Sequence, residues 1–344
     1  MNVKRQKIGM DLLCFSSGLL AALAFSVDWL FFLCFFALVP LLNVILHSPP
    51  ERTLRAVWIY CIGYYPFSLY WLYTLLPSLP MGKAAAIAVM TLGILLLSAL
   101  ECAFLLLAFL PFSSLCKRGG TLWKAALFSI LYMLGEWLQG AVTTLAFPWV
   151  RLCIPVTHFP AWIQSASLFG GLFISFLVVL TNSLLAYAWV TRLHAKRQWG
   201  AFAALCGLVL ANVAYGAVRL SLHPGDADTG TLMVQGNYAG QHKWTASVEE
   251  MLDNYLTLSY EGVTEETRLV LWPESALPVN LREEDEILEK LQAFCQNTDT
   301  GLLVGAYDAV QTEKGPRRYN AMFYIDASGV ADEAYYKQIL VPFG

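Results

Sequence analysis

The chain has 344 residues, of which 57% are hydrophobic and 14% charged, with a formal net charge of −3 and a mean hydropathy of +0.55. So low a charge content over this length excludes an ordinary water-soluble globular protein. The charge is also divided: residues 1–230 hold 14 basic and 7 acidic side chains, residues 231–344 hold 8 and 18. The acidic second part lacks the basic face that binding nucleic acid requires.

Apolar runs lie near 8–27, 29–46, 54–76, 85–111, 122–145, 162–190 and 199–219. Each reaches the roughly 20 residues needed to cross the hydrocarbon core. Residues 1–220 are therefore expected to form a membrane α-helical bundle of about seven transmembrane helices. The first run is too long for a removable signal peptide and reads as a retained anchor. One set of loops holds Lys4, Arg5, Lys7, Arg52, Arg55, Lys117, Arg118, Lys124, Arg192, Lys196 and Arg197, against Lys83, Arg151 and Arg219 in the alternate set. That asymmetry predicts a cytoplasmic N-terminus and places everything after Arg219 outside the cytoplasm. Seven of the eight cysteines fall in the membrane part and only Cys295 beyond it, so no disulfide can staple the second domain internally. The five histidines are scattered without ligand spacing, which gives no expectation of a metal or cofactor.

Residues 221–230, polar with Pro224 and Gly225, read as a linker. A strand is expected at Thr231–Gly236, then a helix capped by Thr245 with Val248, Met251, Leu252, Tyr255 and Leu256 along one face. Arg268–Trp272 is a second strand. A second amphipathic helix follows, with Ile287, Leu288, Leu291, Phe294 and Cys295 inward and acidic residues at its start. Gly301–Tyr307, Tyr319–Ile325 and Val330–Tyr336 complete the order β-α-β-α-β-β-β. Residues 231–344 are thus expected to form a partial α/β layered domain. It is expected to be incomplete at its C-terminal end, since the pattern offers no helix to cover the last strand.

Two side chains stand out as carriers of chemistry. Glu274 follows an apolar strand that Pro273 ends, and ligands gather at strand ends in α/β sheets. Beside Trp272 its carboxylate is expected to be partly desolvated and suited to general-base work; an exposed turn glutamate is the alternative. Lys337 sits between Tyr335-Tyr336 and the apolar run Leu340-Val341-Pro342-Phe343-Gly344. It suits an oxyanion holder; a snorkelling lysine on an edge strand is the alternative.

Taken with Val234-Gln235-Gly236-Asn237, Lys243-Trp244, Glu136-Trp137 and Phe147-Pro148-Trp149, these motifs resemble the nitrilase superfamily. More narrowly they resemble the apolipoprotein N-acyltransferases of bacterial inner membranes, along the whole chain. The resemblance implies a nitrilase-like sandwich and a ping-pong acyl transfer. A cysteine takes an acyl chain from a membrane phospholipid as a thioester. The amino group of a diacylglyceryl-modified apolipoprotein cysteine then accepts it. Glu274 would be the base and Lys337 the oxyanion holder. The nucleophilic cysteine would lie past Gly344, so the chain as given is expected to lack it. Cys295, on an apolar helix stripe, reads as a small core residue. Trp244 is a candidate at the substrate entrance or an interfacial aromatic. Phe147 and Trp149 are candidates for the lipid path or for a belt of aromatics. Glu136 has either a hydrogen-bonding role or a headgroup role. A membrane-tethered amidase and a non-catalytic lipid- or lipoprotein-binding fragment are the competing functions.

Overall fold

The computed structural model describes residues 3–117, 119–142, 145–192, 199–222, 230–238, 246–312 and 315–340. The chain divides into two compact units, one helical and one built on a sheet. The long helices of the first are α1 (Val3–Ser26), α2 (Val39–His47), α3 (Thr53–Ser68), α4 (Lys83–Phe109), α5 (Thr121–Ala141), α6 (Gly171–Thr191) and α7 (Trp199–Leu222).

Five stretches among the described residues are long and apolar enough to cross a membrane: Arg5–Ser26, Asp28–His47, Lys83–Cys116, Gly171–Thr191 and Trp199–Leu222. The expected spans at 54–76 and 122–145 do not meet that standard, for different reasons. Helix α3 has 16 residues and contains Pro66, so it is only about 24 Å long. The chain then tightens into a 3-10 turn over Tyr70–Ser78. Helix α5 has 21 residues, but Lys124, Glu136 and Gln139 dilute its apolar character.

Helices α1 and α3 cross where Gly18 and Gly63 remove both side chains. A methyl group on Gly18 would meet the Tyr60 carbonyl, and one on Gly63 the Phe15 carbonyl. Small residues at such crossings let backbones approach closely, the main source of packing energy between helices in lipid. Polar groups tie the bundle elsewhere. Asn182 Nδ2 donates to the Cys34 carbonyl at 2.7 Å, and its Oδ1 accepts from Leu38 N–H at 2.8 Å. The amide thereby satisfies backbone groups left over where the segment 28–38 departs from an α-helix. Tyr60 and Tyr132 hydroxyls meet at 2.8 Å, and Gln139 donates to the Tyr65 hydroxyl at 2.7 Å.

In the second unit, β1 (Thr231–Met233), β2 (Leu269–Leu271) and β3 (Gly301–Thr312) pair in parallel. Helices α8 (Val248–Gly262) and α9 (Asp285–Thr298) make the crossovers. Strand β4 (Gly315–Asp326) returns antiparallel to β3 along its whole length. The expected last strand is broken in two: β5 (Gly329–Val330) and β6 (Tyr335–Tyr336) each pair briefly along the far edge of β4. The observed order is thus β-α-β-α-β-β-β-β. Strand β1 is also shorter than expected. Ser247, rather than Thr245 (outside the described residues), caps α8, accepting from Glu250 N–H at 3.1 Å.

The inward faces match the periodicity of the sequence. Met251, Leu252 and Tyr255 from α8 and Ile287, Leu291, Phe294 and Cys295 from α9 share one core with Leu302, Val304, Phe323 and Ile325. Complete burial of a side chain such as Leu291 or Phe294 contributes about 1.5–3 kcal/mol. Trp272 anchors the end of β2 in this core. Its indole donates to Ser259 Oγ at 2.9 Å and stacks on Tyr255 with ring centroids 4.9 Å apart.

Candidate active site

The site forms where β2 ends. Pro273 has no N–H to continue the ladder, and the chain turns sharply through Glu274 and Ser275. Ser275 adopts φ +52, a left-handed conformation that costs a non-glycine residue roughly 1–2 kcal/mol. Ala276 N–H closes the turn on the Pro273 carbonyl at 3.2 Å, and Leu277 N–H reaches the Gly305 carbonyl at 3.1 Å. Gly305 makes the fit possible. A methyl group there would fall on the Pro273 carbonyl oxygen and within 2.8 Å of Glu274 Cα and Ser275 N.

Strand β4 supplies the next partner. Asn320 Nδ2 donates to Glu274 Oε1 at 2.7 Å, with a longer contact of 3.4 Å to Ser275 Oγ. The Asn320 carbonyl accepts the Lys337 N–H at 2.9 Å. Lys337 Nζ then reaches back to the same Glu274 oxygen at 2.9 Å. Residues 63 positions apart in the chain thus converge on one oxygen atom. They line a shallow pocket of about 130 Å³ with Ala321, Met322 and Tyr335.

The environment of the carboxylate differs from expectation. Its side chain is 59% exposed and that of Lys337 29%, while Trp272, at 1% exposure, turns into the core instead of drying the carboxylate. Orientation of Glu274 comes from Asn320 and Lys337, not from an apolar wall.

Asp308, a residue the sequence reading passed over, lies behind Lys337. It is 1% exposed. Its Oδ2 accepts from the Tyr336 hydroxyl at 2.8 Å and from Arg282 Nε at 3.2 Å. Arg282 also donates to the Asp332 carbonyl at 2.7 Å and lies over the Phe323 ring. The bond to Asp308 holds the Tyr336 phenol above its ordinary pKa. Because β6 pairs through only two residues, this latch fixes the strand that carries Lys337. Tyr336→Phe removes one of the two donors to Asp308 Oδ2, a buried carboxylate oxygen, at a cost of about 1–3 kcal/mol. Amide hydrogen exchange over residues 335–340 is expected to accelerate while that of β3 stays unchanged. Unchanged exchange in that peptide would show that the latch does not hold the strand.

Cys295 is fully buried in α9, with Sγ 3.6 Å from the Ile325 carbonyl. Burial pushes its thiol up to about 11, so it is poorly suited to form a thiolate at neutral pH.

The remaining predicted residues divide by unit. Trp244 lies outside the described residues. Phe147 is buried in the core of the helical unit, and Trp149 is 42% exposed. The Trp149 ring stacks between Phe147 and Trp71, with centroids 4.9 and 5.6 Å away. Glu136 is 1% exposed. Its Oε1 accepts from Leu152 N–H at 2.9 Å, and its carbonyl accepts from Arg151 at 3.1 Å. Glu136 therefore ties α5 to the segment just after the Phe147-Pro148-Trp149 motif. Among the described residues, no group of three or more His, Cys, Asp or Glu side chains is arranged to hold a metal ion.

Comparison with known proteins gives two family matches. Residues 17–184 match the apolipoprotein N-acyltransferase N-terminal domain, and residues 233–343 match the carbon-nitrogen hydrolase family. Among similar proteins, the apolipoprotein N-acyltransferase of Bradyrhizobium diazoefficiens is 32% identical over 61% of this chain and 41% of its own length. That of Pseudomonas syringae pv. tomato is 27% identical over 86% of this chain and 57% of its own. That of Allorhizobium ampelinum is 29% identical over 97% of this chain and 64% of its own. The chain therefore spans less than two thirds of the length of these curated relatives.

Proposed function

We propose, starting from a chain that belongs to the apolipoprotein N-acyltransferase family, that it acts in moving an acyl chain from a membrane phospholipid to a lipoprotein. The acceptor is the amino group of an N-terminal, diacylglyceryl-modified cysteine. The observation that carries this reading is the meeting of Lys337 Nζ and Asn320 Nδ2 on Glu274 Oε1, at 2.9 and 2.7 Å.

In this reading Glu274 takes the proton of an attacking thiol, which adds to the ester carbonyl of the phospholipid. The ammonium of Lys337 stabilises the oxyanion of the tetrahedral intermediate. Collapse releases the lysophospholipid as an alcohol, which takes the proton back from Glu274, and leaves a thioester. In the second half the lipoprotein amine attacks the thioester, gives its proton to the same carboxylate, and leaves as an amide. The thiol is then regenerated. No cysteine of this chain is assigned the thiol role, and the buried Cys295 is unsuited to it.

The same reading places residues 1–220 in the bacterial inner membrane as a bundle of about seven crossings, with its N-terminus in the cytoplasm. Residues 221–230 form the linker, and residues 231–344 the nitrilase-like domain outside the cytoplasm. The exposure of Trp149 supports contact with lipid. The burial of Phe147 and Glu136 supports a part in shaping the loop that presents it. Trp244 is assigned to the substrate entrance on the strength of its motif alone.

The gene that encodes this chain is expected to restore a third acyl chain to lipoproteins in cells depleted of their own N-acyltransferase. Mass spectrometry of a lipoprotein N-terminal peptide reads the added acyl mass directly. Lipoproteins that stay diacylated despite normal expression would overturn the proposal.

A further inference from the structure

The end of the helical unit where α1 begins, α2 ends and α3 begins holds a concavity that the acyl-transfer site does not use. Two adjoining cavities of about 330 and 440 Å³ share Lys7, Met10, Val44, Ser48 and Arg52 in their walls. Lys7 and Asp11 are four residues apart on one face of α1. Arg52 and Arg55 are three apart, where the turn Pro50–Arg52 runs into α3.

The charges in this cavity are not balanced. Asp11 is occupied by Arg55, with Oδ2 2.8 Å from Nη2 and Oδ1 3.3 Å from Nε. Glu51, the nearest other acid in sequence, accepts from Ser113 at 3.4 Å and does not line either cavity. Among the described residues, no acidic side chain pairs with Lys7 or Arg52, and both face the space as cations, with the Ser48 hydroxyl among its polar groups. The rest of the lining includes apolar Met10, Cys14, Val44 and Ala56. Beside it, Ile8 and Leu12, one turn apart, leave an apolar strip of α1 exposed at 51% and 61%.

We propose that this cavity binds the phosphate headgroup of an anionic phospholipid, with its acyl chains lying along the exposed apolar face of α1. A phosphate satisfies Lys7 and Arg52 together, and guanidinium groups favour its geometry. Basic pockets between membrane helices are suited to anionic headgroups in this way. The apolar flank selects a lipid over a free phosphate ion, which would gain nothing from it. In the orientation proposed above, the site lies in the cytoplasmic leaflet. Its occupant is then held as part of the structure and is separate from the acyl donor consumed on the other side.

The test uses the full chain in detergent, titrated separately with phosphatidylglycerol, phosphatidylcholine and inorganic phosphate, with native mass spectrometry to count retained lipid. Phosphatidylglycerol is expected to be retained in preference to phosphatidylcholine. The double variant K7Q/R52Q is expected to lower that preference by about tenfold or more, given the usual contribution of each basic group near a membrane surface. Asp11→Asn frees Arg55 and is expected to act in the opposite direction, raising retention severalfold. That gain separates a charge effect from misfolding, which lowers retention in every variant. Lys83→Gln, at the start of α4, is expected to change nothing. Equal retention of the two lipids, unaltered retention in K7Q/R52Q, or competition by inorganic phosphate as strong as by lipid would each overturn the proposal.

Discussion

Replacing Glu274 by glutamine is expected to abolish N-acylation in cells that depend on the gene encoding this chain, a loss of about 10²–10⁴ in rate. The substitution keeps the size of the side chain and an oxygen for Asn320 and Lys337 to address. What it removes, in the mechanism proposed above, is the group that receives protons from the thiol and the amine. Lys337→Ala is expected to cost about 10²–10³, the usual effect of deleting one donor to an oxyanion. Stability should hardly change in either variant. The two side chains are 59% and 29% exposed, and exposed ion pairs contribute about 0–1 kcal/mol. The ratio of triacylated to diacylated lipoprotein gives the activity, and the unfolding midpoint in detergent gives the stability. Near-normal triacylation in Glu274→Gln would remove that residue from the mechanism. A loss of activity matched by a large fall in midpoint would make the pair structural.

The second large effect is expected at a residue with no side chain. Gly305 faces the turn that carries Glu274, and a methyl group there would occupy the position of the Pro273 carbonyl oxygen. Backbone cannot rotate aside as a side chain does, so the turn itself must move. Overpacking of this kind costs about 1–3 kcal/mol, and a displacement near 1 Å in a catalytic group costs about 10² in rate. Gly305→Ala is therefore expected to lose both stability and acyl transfer. Gly301→Ala is a fair control on the same strand, because its methyl first meets the ring of Tyr324, which has room to shift. Equal behaviour of the two variants would show that the close approach at Gly305 does not position Glu274.

Much of this was legible from the residues alone. The helix faces of α8 and α9 follow from 3.6-residue spacing, and Pro273 marks the end of β2 because proline cannot extend a ladder. The convergence of Glu274 and Lys337 was accessible only through motif resemblance, since nothing local links residues 63 positions apart. Asn320 and Asp308 escaped notice for a related reason. Each is a single polar residue within a strand, and its importance depends on which neighbour the hairpin register sets opposite it. Gly305 was hidden inside an apolar run, where a glycine gives no sign of what its missing side chain makes room for. The break between β5 and β6 also went unseen, although Ala331-Asp332-Glu333-Ala334 between them are all residues depleted in strands, because Val330 and Tyr335-Tyr336 at the two ends drew the segment into one strand. The expected drying of Glu274 by Trp272 failed because the strand does not continue to Glu274: residues two apart in a strand share a face, but the chain turns at Pro273 and Ser275, leaving Trp272 in the core and the carboxylate exposed.

The amide of Asn182 has a consequence for how the helical unit is made. It completes the backbone of Cys34 and Leu38, which precede it by 148 and 144 residues. Inside a bilayer no water is at hand to serve as a temporary substitute. A ribosome releases the early bend long before it releases the residue that caps it. The first hairpin of the protein must therefore wait, incompletely bonded, for a helix synthesised much later, and insertion in order of synthesis cannot also be folding in order of synthesis.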